Sequence, residues 1–161
     1  MCEPWQTYYK MSEVIRTSRD IHEKLAACEA SFEVLPDFVT AELAEYGELP
    51  PTILCRDVAP KLYMQLGQFQ KARVAIYRCV KAGAYVDNGA TALNYLQRYE
   101  TTARIALEFL RDNVGFAQNK IYKYLAATPA DKDCLKDFVR SSRLIRKEKC
   151  GNTNKLFLAK V

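Results

Sequence analysis

Arg146, Lys147, Lys149 and Lys155 stand around the polar residues Gly151, Asn152 and Asn154 near the end of this 161-residue chain, a density of cationic donors suited to an anionic surface. They belong to a wider asymmetry. Residues 1–100 carry 11 Lys and Arg against 13 Asp and Glu, whereas residues 101–161 carry 13 against 6. The net charge of +5 is therefore a basic last third on a slightly acidic body, which points to nucleic acid or another anionic partner.

Other residue types capable of chemistry are less favourably placed. His22 is the one histidine, so any triad or multi-histidine metal centre would have to be built around it alone. Cys2, Cys28, Cys55, Cys79, Cys134 and Cys150 are scattered without a CxxC or CxxH pair and read as reduced thiols. Three of them, Cys28, Cys79 and Cys134, fall in helical patterns, where a free thiol behaves as a small hydrophobe. Glu42, Glu45 and Glu48 form an acidic cluster whose spacing fits a solvated helix face better than a metal site. Neither catalysis nor a cofactor is expected. No uncharged stretch approaches the ~18 apolar residues of a membrane span. The opening "MCEPWQTYYK" has no apolar run for a signal peptide, so the expected compartment is the cytoplasm.

The elements that must position these residues are mainly helical. Val14, Ile21, Leu25, Cys28, Phe32 and Leu35 recur at helical spacing, predicting one long amphipathic helix or two between Trp5 and Leu35. Pro36 then predicts a new helix over "DFVTAELAEY", stopped by Gly47. Asp57 is the expected cap of "VAPKLYMQLG", with Pro60 in its first turn, and "QFQKARVAIYRCVKAG" follows the turn at Gly67 and ends at Gly83. Tyr63, Leu66, Gly67, Phe69, Ala72 and Ile76 resemble the core of a single tetratricopeptide-like helical hairpin, and Tyr63, Phe69, Ile76 and Tyr77 are expected in the core. Asp87, Asn88 and Gly89 mark a turn, after which one helix or two reach Asn113.

From Thr101 the order of elements is distinctive. "TTARIALEFLRDN" reads as a helix, "VGFA" as a short extended link, "QNKIYKYL" as a second helix, "AATPAD" as a turn and "KDCLKDFVRSS" as a third helix. "LIRKEK" and "KLFLAKV" then flank "CGNTN", where Gly151, Asn152 and Asn154 tolerate the positive backbone angles of a tight hairpin, and Leu144 and Ile145 should anchor the first strand. This order resembles a winged helix-turn-helix domain. The expected architecture is mainly α: a helical body over 1–100 with a tetratricopeptide-like hairpin, plus a small C-terminal winged-helix domain over 101–161 with a β-hairpin.

The resemblance implies a DNA-facing role for Lys132, Lys136 and Arg140 on the third helix. It implies phosphate contacts for Gln118, Asn119, Lys120 and Lys123, and backbone or minor-groove contacts for Arg146, Lys147, Lys149, Asn152, Asn154 and Lys155 of the wing, with Arg143 adding charge beside it. Placing Leu135, Phe138 and Val139 inward leaves Asp133, Lys136, Asp137 and Arg140 outermost, a face close to neutral in which Asp133 can pair with Lys136 and Asp137 with Arg140. Backbone contact is therefore expected over base reading. The leading expectation is a small DNA-binding regulator or mobile-element accessory protein whose helical body serves homodimerisation or a protein partner. Its rival is a protein-interaction adaptor in which the winged helix is a packing module and the body, which holds most of the ten tyrosines, is the binding surface.

Overall fold

A computed structural model of the chain describes the backbone of residues 3–126 and 129–160, with side chains throughout except at Pro4 and at residues 129–131. Among the described residues there are seven helices, α1 (Pro4–Thr17), α2 (Ile21–Tyr46), α3 (Leu54–Gln65), α4 (Phe69–Lys81), α5 (Ala90–Asp112), α6 (Gln118–Leu125) and α7 (Pro129–Ser141). Three short strands, β1 (Phe116–Ala117), β2 (Ile145–Cys150) and β3 (Thr153–Leu158), complete the set. The protein is mainly α with a small antiparallel sheet near its C-terminus. No described helix is long and apolar enough to cross a membrane. The chain divides into two compact units, one of Met1–Tyr63 with Gln70–Leu93 and one of Met64–Phe69 with Asn94–Val161.

In the first unit the break between α1 and α2 falls at Ser18–Asp20. There the Asp20 carboxylate accepts the backbone N–H groups of His22 at 2.7 Å and Glu23 at 3.3 Å, capping α2. The helix then continues through Pro36, where the sequence predicts a fresh start. Its apolar face explains the difference: Cys28, Phe32, Leu35, Phe38 and Val39 form one buried stripe across the proline, whose own ring is exposed. Pro36 lacks the N–H that would bond the Phe32 carbonyl, yet the packing on both sides holds the helix continuous. Gly47, at φ +76°, ends it as expected.

Helix α3 starts three residues ahead of Asp57, so this carboxylate does not occupy the cap position; it reaches back from within the helix to accept the Ile53 N–H at 3.0 Å. Pro60 lies deeper in α3 than the predicted first turn. The nearly buried Arg56 side chain gathers the surrounding loops, donating to the carbonyls of Ala84 at 2.9 Å and Pro51 at 3.0 Å and to Asp57 at 2.7 Å. After α4, Gly83 at φ +74° lets the Ala84 N–H bond the Cys79 carbonyl at 2.9 Å, closing the helix end. Tyr63 and Ile76 are buried as the spacing predicts, and the Tyr63 hydroxyl donates to Glu29 at 2.6 Å. Tyr77 is not core: it is 54% exposed, because it lies on the α4 face opposite Ala72, Ala75, Ile76 and Cys79.

In the second unit α5 is one continuous helix that buries Leu96, Tyr99, Ala103, Ala106 and Leu110. The elements that follow are strand, helix, helix, strand, strand, with sheet order β1-β3-β2 and antiparallel pairing throughout. The "VGFA" segment is more than a link. Gly115, at φ +74°, donates its N–H to the Leu156 carbonyl at 3.0 Å and starts the ladder in which Phe116 pairs Leu156 and Ala117 pairs Lys155. Residues 127 and 128 of the expected turn lie outside the described residues, as do the side chains of Pro129 and Asp131, and α7 begins at Pro129. The hairpin is tighter than expected: Cys150 pairs Thr153 around the two-residue turn Gly151–Asn152. Only Gly151 takes a positive φ, +61°; Asn152 and Asn154 do not, and Asn154 belongs to β3. Glycine first with positive φ is the sign pattern of a type II′ turn.

Ile121, Leu135, Phe138, Val139, Ile145 and Leu156 fill this unit's core with Tyr99 and Leu110. Residues 64–69 complete it. The Arg143 N–H bonds the Gln65 carbonyl at 2.9 Å, and the Phe69 ring meets Tyr99 edge-on at 6.2 Å, which in turn meets Phe138 at 5.7 Å. Leu144 packs over Gly67, so the space this glycine leaves open is filled from β2's approach.

Candidate nucleic-acid interface

Alternation along β2 and β3 sorts the hairpin's side chains onto two faces. Arg146, Glu148 and Cys150 share one face with their cross-strand partners Phe157, Lys155 and Thr153. On it the Arg146 guanidinium lies over the Phe157 ring, 4.5 Å from its centroid, and pairs with Glu148. Glu148 stands directly across from Lys155, so one carboxylate is set between two of the cations expected to meet phosphate. The other face carries Ile145, Lys147 and Lys149 opposite Leu158, Leu156 and Asn154.

Two predicted contact residues on that second face make hydrogen bonds to other parts of this unit. Lys147 Nζ donates to the Arg140 carbonyl at 3.1 Å, tying β2 to the C-terminal end of α7 where exposed carbonyls favour a cation. Burial, with the nearby Arg140 charge, holds the Lys147 amine below the usual lysine range. Asn154 Nδ2 donates to Gln118 Oε1 at 2.8 Å, joining β3 to the first residue of α6. Lys149 and Asn152 are exposed near the hairpin tip.

On the helices, Asn119, Lys120 and Lys123 of α6 and Lys132, Lys136 and Arg140 of α7 are exposed, as is Arg143 just beyond α7. Arg143 donates its backbone N–H to Gln65. Gln118 and Tyr122 from α6 and Asp133, Lys136, Asp137 and Arg140 from α7 line a shallow hollow between the two helices. Helical-wheel placement made Asp137 an outermost charge; it is instead a partly covered one, with its side chain 35% exposed. Its Oδ2 accepts from the Tyr95 hydroxyl on α5 and its Oδ1 accepts from Arg140 Nη2 at 3.2 Å. Burial and the Asp137 carboxylate push the Tyr95 hydroxyl well above the usual tyrosine range.

Tyr95 is the functional candidate that local pattern reading misses, because its partner comes from another helix. One signal was available. Tyr95 and Tyr99 are four apart on α5, and Asp137 and Ser141, which they face (Tyr99 Oη to Ser141 Oγ, 3.4 Å), are four apart on α7. Matched spacing of hydroxyls and acceptors on two helices marks a shared stripe. Among the described residues no three His, Cys, Asp or Glu side chains converge on a metal position. No known family, characterised protein or solved structure matches this chain.

Proposed function

We propose that residues 101–161 form a winged helix-turn-helix module that holds duplex DNA chiefly through backbone phosphates, in a small regulatory or mobile-element accessory protein. One observation carries the reading: a helix–strand–helix–helix–strand–strand order with sheet order β1-β3-β2 that bears exposed cations on α6, α7 and the hairpin. The supporting set is Lys120, Lys123, Lys132, Lys136, Lys149 and Lys155. Each phosphate neutralised releases counterions, so affinity should fall with a log–log salt slope of about −0.9 per contact.

The test is fluorescence anisotropy with a mixed-sequence duplex from about 50 to 200 mM salt. Saturable binding that weakens steeply with salt supports the reading, and a chain that binds nothing at about 50 mM salt ends it. A protein-interaction adaptor is the second reading, favoured by Val74 and Tyr77, three apart and both exposed on α4. Capture of one stoichiometric protein by the native chain, lost on Tyr77→Ala and unaffected by nuclease, would favour it.

A further inference from the structure

Resting on the DNA-binding reading, we infer that Arg140 is a base-reading residue for guanine, held in position by Asp137 and Tyr95. The sequence makes the outer face of α7 look close to neutral and suited to backbone contact alone. Its geometry is more specific. Asp137 is anchored at one oxygen by a tyrosine on a different helix, and its other oxygen holds one end of the Arg140 guanidinium at 3.2 Å. The backbone of Arg140 is fixed as well, through the Lys147 bond to its carbonyl. The guanidinium nevertheless remains open to a partner, with the Arg140 side chain 80% exposed at the hollow that Gln118 and Tyr122 share.

Such a fork is matched to a base rather than to phosphate. A carboxylate beside the guanidinium cancels most of its charge, and it would itself repel a phosphate at the same place. A guanine edge is uncharged and offers two acceptors, O6 and N7, at the spacing of a guanidinium's parallel donors. The bond to Asp137 orients one end of the fork, which lowers the cost of ordering it on contact. Asp137 lies beside it and can accept from the amino group of the cytosine paired to that guanine. Lys132 and Lys136 are flexible point charges with no such brace among the described residues, so phosphate contact falls to them.

The experiment is selection of bound duplexes from a randomised DNA library by the full chain, followed by affinity measurements on the selected sequence and on one with the fixed pair exchanged. The expected result is one or more fixed G·C pairs with a preference of roughly ten- to a hundredfold. Arg140→Lys, which keeps the charge but loses the parallel pair of donors, should abolish the preference at one of these pairs. Tyr95→Phe should reduce that same preference several-fold in a protein whose melting is checked separately, an effect that loss of packing alone would not confine to one base pair. A selected sequence with no fixed pair, or one that Arg140→Lys reads as well as the native chain, overturns this inference and leaves phosphate binding standing. Absence of any duplex binding removes the underlying reading and this one with it.

Discussion

A Cβ built on Gly67 would lie 2.6 Å from Leu144 Cδ1, so the turn between α3 and α4 is closed by a side chain from the residue that leads into β2. Gly67→Ala therefore meets two costs. Its φ of +72° is unfavourable for any residue with a Cβ, by about 1–2 kcal/mol, and the methyl group must also displace Leu144. Gly47→Ala isolates the first cost, since its φ is +76° and nothing lies within 4 Å of the added Cβ. Chemical denaturation should show Gly67→Ala less stable than Gly47→Ala by about 1 kcal/mol or more. Equal losses would mean that Leu144 gives way freely and does not clamp the turn.

Pro36 offers a gain by the same reasoning in reverse. It sits inside α2 with its ring exposed, and it denies the Phe32 carbonyl its helical partner. Pro36→Ala restores that bond and the intrinsic preference of the helix, which should raise stability by roughly 1–3 kcal/mol in urea denaturation. Destabilisation would instead show that the buried positions Leu35, Phe38 and Val39 depend on a bend at the proline.

Where the chain announces its elements, it does so through local chemistry. Gly47 and Gly83 end helices in the left-handed conformation that their positions imply, and Gly151 turns the hairpin. The bounds of α6 match "QNKIYKYL", with extended backbone at Ala117 and Ala126 on either side of it. What is not legible comes from partners distant in sequence. Pro36 reads as a helix boundary until the continuous buried stripe on α2 is known, and Phe116–Ala117 reads as a link until Leu156 and Lys155 arrive to pair with it. The interface follows the same division. Cation density singles out the hairpin, whereas α7 sets Asp131, Asp133 and Asp137 beside Lys132, Lys136 and Arg140, and charge type cannot show that Lys147 is bonded to a helix end, that Asn154 is bonded to Gln118, or that Asp137 is turned toward Tyr95.

Burial sets a pH limit on the first unit. It pushes the Cys28 and Cys55 thiols from 9 up to about 12, and the Tyr8 hydroxyl from 10 up to about 12. These groups bind their protons more tightly folded than unfolded, so their contribution is fully present below about pH 9 and is lost as pH rises toward 12. Denaturant midpoints should be level from neutral pH to about 9 and then fall. Thiol chemistry gives an independent check in a Cys2→Ser background. A disulfide reagent should label the exposed Cys150 rapidly, while Cys28, Cys55, Cys79 and Cys134 should react only on unfolding. Rapid native-state labelling of more than one thiol would contradict the packing.

Lys147 and Lys149 lie on the same face of β2, two residues apart and equally attractive from sequence, yet the structure gives them different work. Both are exposed, but Lys147 donates to the Arg140 carbonyl at 3.1 Å, whereas Lys149 stands near the hairpin tip. If DNA is held through phosphates, Lys149→Met should lower the magnitude of the log–log salt slope by about 0.9, the value of one lost phosphate contact. Lys147→Met should leave that slope unchanged, because its charge faces the end of α7. Its effect should appear instead as a weakened link between α7 and the hairpin, read as faster amide exchange in β2 than in the Lys149→Met protein. Salt titrations of the two variants side by side separate the cases, and equal slopes for both would show that the hairpin meets DNA with some other set of cations.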